Sequence, residues 1–337
     1  MADSKHYKIW MLSLVPSGRY GRWWIALSIL LVGGAAYGVS GYIVANDRAS
    51  FGPIPWSIAA FFVLSVAYIV PMFHYITMRT HTSLDTLGPY ISSAERLSEL
   101  HDSINKRPLG WFVRSTIIAL TLWLIQSYFL SGSWAMMWRQ VTTGLVPLAF
   151  TLGPLFVWLT MYVSMSALIQ NALTFRKLVP ELNTDLFEPN SYMPIGSMAV
   201  TSTLVSLGGM ALMSVMWLDG PVNWWTTLPA LIIFTPLVFL LLLLPVLPMH
   251  RRLLAQRQAA LVETQAALRA ARASTADAET ALASQAAALS MRREVAELSV
   301  WPFDVGTVAR FLSYAIIVPL TWAGAALIEM VVNALLE

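Results

Sequence analysis

The stretch ALRAARASTADAETALASQ, residues 267–285, decides how this chain is read. It is rich in alanine and otherwise mostly polar. Ahead of it lies FTPLVFLLLLLPVLPM (234–249) and after it FLSYAIIVPLTWAGAALIEMVV (311–332), neither of which a water-soluble domain would expose. Residues 251–299 hold no Gly, no Pro and no aromatic residue, and sixteen of the 49 are Ala. Ala, Leu, Gln, Glu and Arg are the strongest helix formers, so the segment predicts helix throughout. Leu254, Leu261, Leu268, Leu282 and Leu289 recur every seventh residue, with Thr275 at the missing step, which is the seam of a coiled coil. One straight helix would reach about 74 Å, yet only a short link, WPFDVG, precedes the next apolar run. Six residues reach roughly 20 Å. The segment is therefore expected to fold back as an antiparallel hairpin with arms of about 36 Å, turning in RASTADAE, where Ser274 and Asp277 can cap a second helix.

Working outward, 57% of the 337 residues are hydrophobic and 12% are charged. A soluble domain carries about 25% charged residues. With a mean hydropathy of +0.63 and 14 Trp, the composition is that of a membrane protein. The net charge of +3 gives no reason to expect nucleic acid as a partner. The absence of Cys excludes disulfides, thiolate metal sites and cysteine nucleophiles.

Seven segments are long and apolar enough to cross a hydrocarbon core of about 30 Å. They are 23–45, 54–78, 111–134, 142–170, 196–217, 225–248 and 308–333. The first is too long for a signal-peptide core and reads as a retained span. The fourth holds Gly144, Pro147, Gly153 and Pro154 and is expected to kink. With these spans, 19 of the 21 basic residues fall on one set of alternating loops, and only Arg48 and Arg139 on the other. That asymmetry predicts a cytoplasmic amino terminus and an outer carboxyl terminus. Trp134, Trp138, Trp217, Trp224 and Trp225 gather at one predicted boundary, and Trp10, Trp23, Trp24, Trp111 and Trp301 at the other, as interfacial rings do. The fold expected is all-α and polytopic. A cytoplasmic tail over 1–22 leads into six spans over 23–248, with cytoplasmic loops 79–110 and 171–195. The Ala-rich coiled-coil hairpin occupies 249–300, and 301–337 carries the last span.

The loops carry little catalytic signal. SSAERLSELHDSI reads as an amphipathic helix with Ser92 and Glu95 as a capping box, and with Leu97, Leu100 and Ile104 on one face. Glu95, Glu99, His101 and Asp102, with His81 and Asp85 nearby, lack the spacing of a metal site. Glu181, Asp185 and Glu188 sit in a Pro-rich loop that reads as an ordered elbow. No phosphate-binding glycine loop, no nucleophile elbow and no facing pair of intramembrane His appears, so neither a catalytic residue nor a cofactor is assigned.

Spans 4 and 5 are rich in small and hydroxyl residues: Ser164, Ser166, Thr201, Ser202, Thr203, Ser206, Gly208, Gly209 and Ser214. Two readings stand. One is close helix packing with hydroxyls bonded back to the backbone; the other is the polar lining of a cavity. In span 7, Pro319, Trp322, Ala326, Glu329 and Asn333 share one face. Pro319 is a candidate kink, and the other four are candidates for a pore axis. Repeated around an oligomer, Glu329 would form an acidic ring that favours cations.

Seven spans, an inner amino terminus, an outer carboxyl terminus, short outer loops and a cytoplasmic extension between spans 6 and 7 resemble the insect odorant and gustatory receptor superfamily of ion channels. In place of that family's Thr-Tyr…Gln-Phe signature, the last span here reads YAIIVPLTWAGAALIEMVV. The resemblance implies that 250–300 assembles subunits and that 308–333 lines a pore. The chain is thus expected in the cell (inner or plasma) membrane as a self-associating, channel-like receptor. The alternatives are a scaffold whose hairpin binds a cytoplasmic protein partner and a small-molecule transporter.

Overall fold

The computed structural model describes residues 6–39, 56–218, 224–273, 278–303, 306–307 and 309–314, and beyond them 316, 320, 321, 323, 324, 327 and 331. A two-stranded ribbon pairs β1 (His6–Lys8) antiparallel with β2 (Lys106–Pro108), Tyr7 opposite Arg107. The rest is helical: α1 (Trp10–Leu14), α2 (Gly21–Val39), α3 (Trp56–Leu87), α4 (Ala94–Asn105), α5 (Leu109–Ser131), α6 (Trp134–Thr143), α7 (Leu145–Leu178), α8 (Met193–Ala211), α9 (Trp224–Ala273) and α10 (Ala278–Glu297).

Among the described residues, six helices are long and apolar enough to cross a membrane: α2, α3, α5, α7, α8 with its 3-10 extension, and α9. Trp23, Leu31, Val32, Ile117, Phe129 and Ile232 point outward and are more than half exposed. Apolar outer faces of this extent suit lipid, not water, and helices satisfy their own backbone there. The chain is an all-helical, multi-pass membrane protein. The described residues of the expected seventh span are helical, whereas Pro319, Trp322, Ala326, Glu329 and Asn333 lie outside the described residues.

The ends of α3, α4 and α7, the turn 179–195 and the middle of α9 close over one core that includes Leu84, Leu100, Phe175, Ile195 and Leu253. This end of the bundle carries most of the basic residues and is called the basic end below. The segment expected as an amino-terminal tail is built into it. Ile9, Met11 and Leu12 are buried against α3, α7, Trp111 and Leu241, and Ile9 donates its N–H to Asn105 O at 3.0 Å.

Two boundaries differ from those expected. The helix of the fourth span does not start at 142: Gly144 ends α6 and separates it from α7. Ser133 caps α6, accepting from Met136 N at 3.2 Å, and Trp134 and Trp138 are exposed along it. The helix of the sixth span, α9, runs unbroken through Pro236, Pro245 and Pro248 into the hairpin. Apolar helices tolerate such prolines where neighbours pack on the freed carbonyls. The cap of α4 is Ser93, not Ser92: its hydroxyl accepts from Arg96 N at 3.1 Å. Leu100 and Ile104 are buried on its inner face.

Helix α10 runs back along α9. Arg257 Nε donates to Val295 O at 3.2 Å and its Nη2 to Ala296 O, while His250 Nδ1 donates to Val300 O at 2.9 Å. The turn expected at Ser274–Asp277 falls outside the described residues, between the end of α9 and the start of α10. Leu253, Thr264, Leu268 and Val295 are buried. Of the other leucines at sevenfold spacing, Leu261 is half-buried, and Leu254, Leu282 and Leu289 are exposed at 37%, 67% and 48%.

Candidate functional site

A cavity of about 120 Å³ lies between α3, α7, α8 and α9, at the depth of the apolar spans. Helix α3 contributes residues 61/62, 65, 68/69, 72/73 and 76, and α7 contributes 154, 157/158, 161, 164/165 and 168. Both sets recur at three and four, so each helix gives one continuous face. The 3-10 continuation of α8 adds Met213 and Met216, and α9 adds Phe234 and Val238. Six methionines line the space, with aromatic walls from Phe62, Phe73, Trp158 and Phe234. Methionine is unbranched and polarizable and reshapes around varied apolar guests. An apolar cavity of about 150 Å³ accepts benzene, so one of about 120 Å³ is close to the size of a single ring or a short run of methylenes.

Few polar groups reach it, and most are already engaged. Tyr68 Oη donates to Val205 O at 2.9 Å, which ties α3 to α8. Trp158 Nε1 donates to Gln126 Oε1, which ties α7 to α5. Ser206 donates to Ser202 O at 2.8 Å, and Ser164 Oγ lies 3.7 Å from the Met11 sulfur. The buried Ser65 hydroxyl and the Gln126 amide nitrogen have no bond to described residues. Two donors are therefore left in an apolar chamber, the composition of a site that orients one hydroxyl or carbonyl of an otherwise apolar molecule.

Of the small residues singled out in spans 4 and 5, Ser164, Ser206 and Gly209 line the cavity. Thr201, Thr203 and Ser214 donate to carbonyls of their own segment at 2.8 Å, as hydroxyls do in packed helices. Gly208 faces Tyr68 so closely that a Cβ there would strike the ring hydroxyl. The cavity is thus apolar with isolated hydroxyls, not the polar lining considered from the sequence.

At the basic end the loop side chains are joined into bonds. His81 Nδ1 and His101 Nδ1 lie 2.6 Å apart with stacked rings, so one donates and the other accepts. His81 Nε2 is 2.9 Å from Asn105 Oδ1, and His101 Nε2 is 3.1 Å from Asp85 Oδ1. This chain of four side chains ties α3 to α4. Among the described residues, no group of three or more His, Asp or Glu could hold a metal ion. Arg96 grips both oxygens of Glu181 at 3.0 and 3.1 Å and Glu99 at 3.0 Å. Those carboxylates hold its guanidinium above the usual arginine range, Glu181 most strongly. Glu188 accepts from Tyr90, and Asp185 accepts from Phe187 N at 2.9 Å. The acidic loop is an ordered elbow.

Other polar contacts escaped the sequence reading. Arg252 donates to Val179 O and, at 2.6 Å, to Leu182 O, and Gln256 donates to Thr184 O at 2.9 Å. These bonds fasten the hairpin stem to the turn after α7. Arg107, 8% exposed, donates to Asn171 Oδ1 at 2.7 Å and to Ser103 O, over the ring of Trp111. Its neighbour in sequence, Lys106, pairs ordinarily with Asp102 at 2.9 Å, so residue type alone did not mark the buried cation. Comparison with family models, with curated proteins and with solved structures finds no match to this chain.

Proposed function

We propose that the protein is a membrane-embedded receptor or transporter for a small apolar molecule, or for the apolar part of an amphipathic one, held between α3, α7, α8 and α9. The Met- and aromatic-lined cavity, with the free donors of Ser65 and Gln126, carries this reading. The basic asymmetry of the loops supports a cytoplasmic basic end, and with it a cell (inner or plasma) membrane as the proposed location. The test is binding of fluorinated benzyl alcohol, one ring with one hydroxyl, followed by fluorine NMR on the protein in lipid nanodiscs. A saturable component is expected above the linear partition into lipid. Ser65→Phe fills the chamber and is expected to remove that component. Wild type without saturable binding, or Ser65→Phe with all of it, would sink the reading.

A second reading is a homo-oligomeric, channel-like assembly. It is favoured by the exposure of Leu282, Leu289 and Val262 (68%) on the hairpin. In this reading the last span, with Trp322, Ala326, Glu329 and Asn333, faces the assembly axis. Its decisive measurement is the oligomeric state, argued in the Discussion.

A further inference from the structure

A second pocket, of about 290 Å³, opens at the basic end between the last turns of α3, the first turn of α8, Phe303 and Thr307. Its depth follows from α3. Arg79 lies 23 residues beyond Trp56, about 35 Å along the helix, whereas the hydrocarbon core is about 30 Å thick. The pocket therefore stands at headgroup level. Its wall holds Arg79, Ser83, Asn190 and Ser197, with an apolar floor of Met198 and Phe303, and no carboxylate among the described residues.

The donors there are unequal. Thr82, Thr86 and Thr201 also line the pocket, but they spend their protons on backbone carbonyls at 3.1, 3.0 and 2.8 Å. The hydroxyls of Ser83 and Ser197, the amide of Asn190 and the terminal nitrogens of Arg79 have no bond to described residues. Arg79 uses only its Nε, on Tyr75 Oη at 3.2 Å, and forms no ion pair among the described residues. A second guanidinium, Arg22, lies over the same Tyr75 ring at 5.2 Å, against 5.6 Å for Arg79. Two cations thus share one ring, and among the described residues no acid neutralises Arg79. An arginine fork beside three uncharged donors suits an anion with several oxygens fanned from one centre. A carboxylate offers two such oxygens; a phosphate offers three or four.

We propose that this pocket binds a phosphate group, carried by a membrane lipid or by a soluble phosphate compound. It is separate from the apolar cavity and does not depend on what that cavity holds. The experiment uses the full chain. Protein is equilibrated with phosphatidylcholine vesicles containing one phosphatidylglycerol in five, and lipid retention is read by native mass spectrometry. Inorganic phosphate is titrated in parallel and followed by phosphorus NMR. Wild type is expected to retain one phosphatidylglycerol or to bind inorganic phosphate saturably. Retention assigns the lipid source, and saturable phosphate without retention assigns the soluble one. Arg79→Gln is expected to weaken whichever is seen by at least about tenfold, the weight of a charge-assisted contact. Ser197→Leu, which blocks the opposite wall, should do the same, while Arg293→Gln on the hairpin should change nothing. The proposal is overturned if wild type shows neither event, or if Arg79→Gln and Ser197→Leu both match wild type.

Discussion

Arg107 is the residue at which burial and charge conflict most sharply. Its guanidinium is almost wholly covered, and its acceptors are the neutral oxygens of Asn171 and Ser103. Burial lowers its pKa from the usual arginine range to about 10. It stays charged at neutral pH, so stability gains no pH dependence from it there. Above about 10, and below the ordinary arginine pKa, the unfolded chain holds a proton that the folded chain has released, so folding gains from Arg107 as pH rises through that window. The bond to Asn171 carries a measurable prediction. Asn171→Ala leaves a buried cation short of an acceptor, and Arg107→Ala leaves a buried amide unpaired. The double-mutant cycle, read from unfolding in detergent, should give a coupling of about 1.5–3 kcal/mol. Purely additive losses would show that the bond carries no weight. Nothing in the sequence distinguishes Arg107 from the other loop cations. Its burial follows from β1 closing over β2, and a three-residue strand leaves no period to read.

At the level of elements, the contact of α3 with α8 separates two adjacent glycines that looked equivalent in the sequence. A methyl at Gly208 meets the Tyr68 hydroxyl, which is fixed by its bond to Val205 O. A methyl at Gly209 would lie 3.6 Å from the Tyr68 ring, an ordinary contact. Gly208→Ala should therefore cost about 1–3 kcal/mol, the range for an overpacked core. Gly209→Ala should be near neutral, and Tyr68→Phe should recover much of the loss in Gly208→Ala. Thermal unfolding of the four purified proteins checks this, and equal melting of the two glycine variants would contradict the packing. Composition showed that small residues let these helices approach. Which of two neighbours does so depends on a rotation of about 100° per residue, which only the packed partner sets. The same limit applies to helix ends. The apolar windows located six helices well, but Gly144 breaks the chain where hydropathy is continuous.

For the whole molecule, the hairpin was legible from arithmetic. A helix of that length could not return to the next apolar run across so short a link, and α10 does lie back along α9. The inner face was not legible, because sevenfold leucines mark a seam without naming its partner. Within one chain Leu268 turns inward, while Leu282 and Leu289 turn out to solvent. The register set by the Arg257–Val295 bond brings Val262 roughly level with Leu289, so exposed apolar side chains stand on both arms at one height. A second copy offers the same leucines at the same spacing, and closed symmetric dimers form by such self-complementary faces. Light scattering on the detergent-solubilised protein should therefore report a dimer or larger assembly. Leu282→Glu with Leu289→Glu should shift it to the monomer, with helical circular dichroism unchanged because neither side chain packs inside the hairpin. A monomeric wild type, or an unchanged assembly in the double variant, would remove the hairpin from assembly. The axis role of Glu329 and its neighbours would then lose its support. The apolar cavity, lined by residues of one chain, would remain the proposed ligand site.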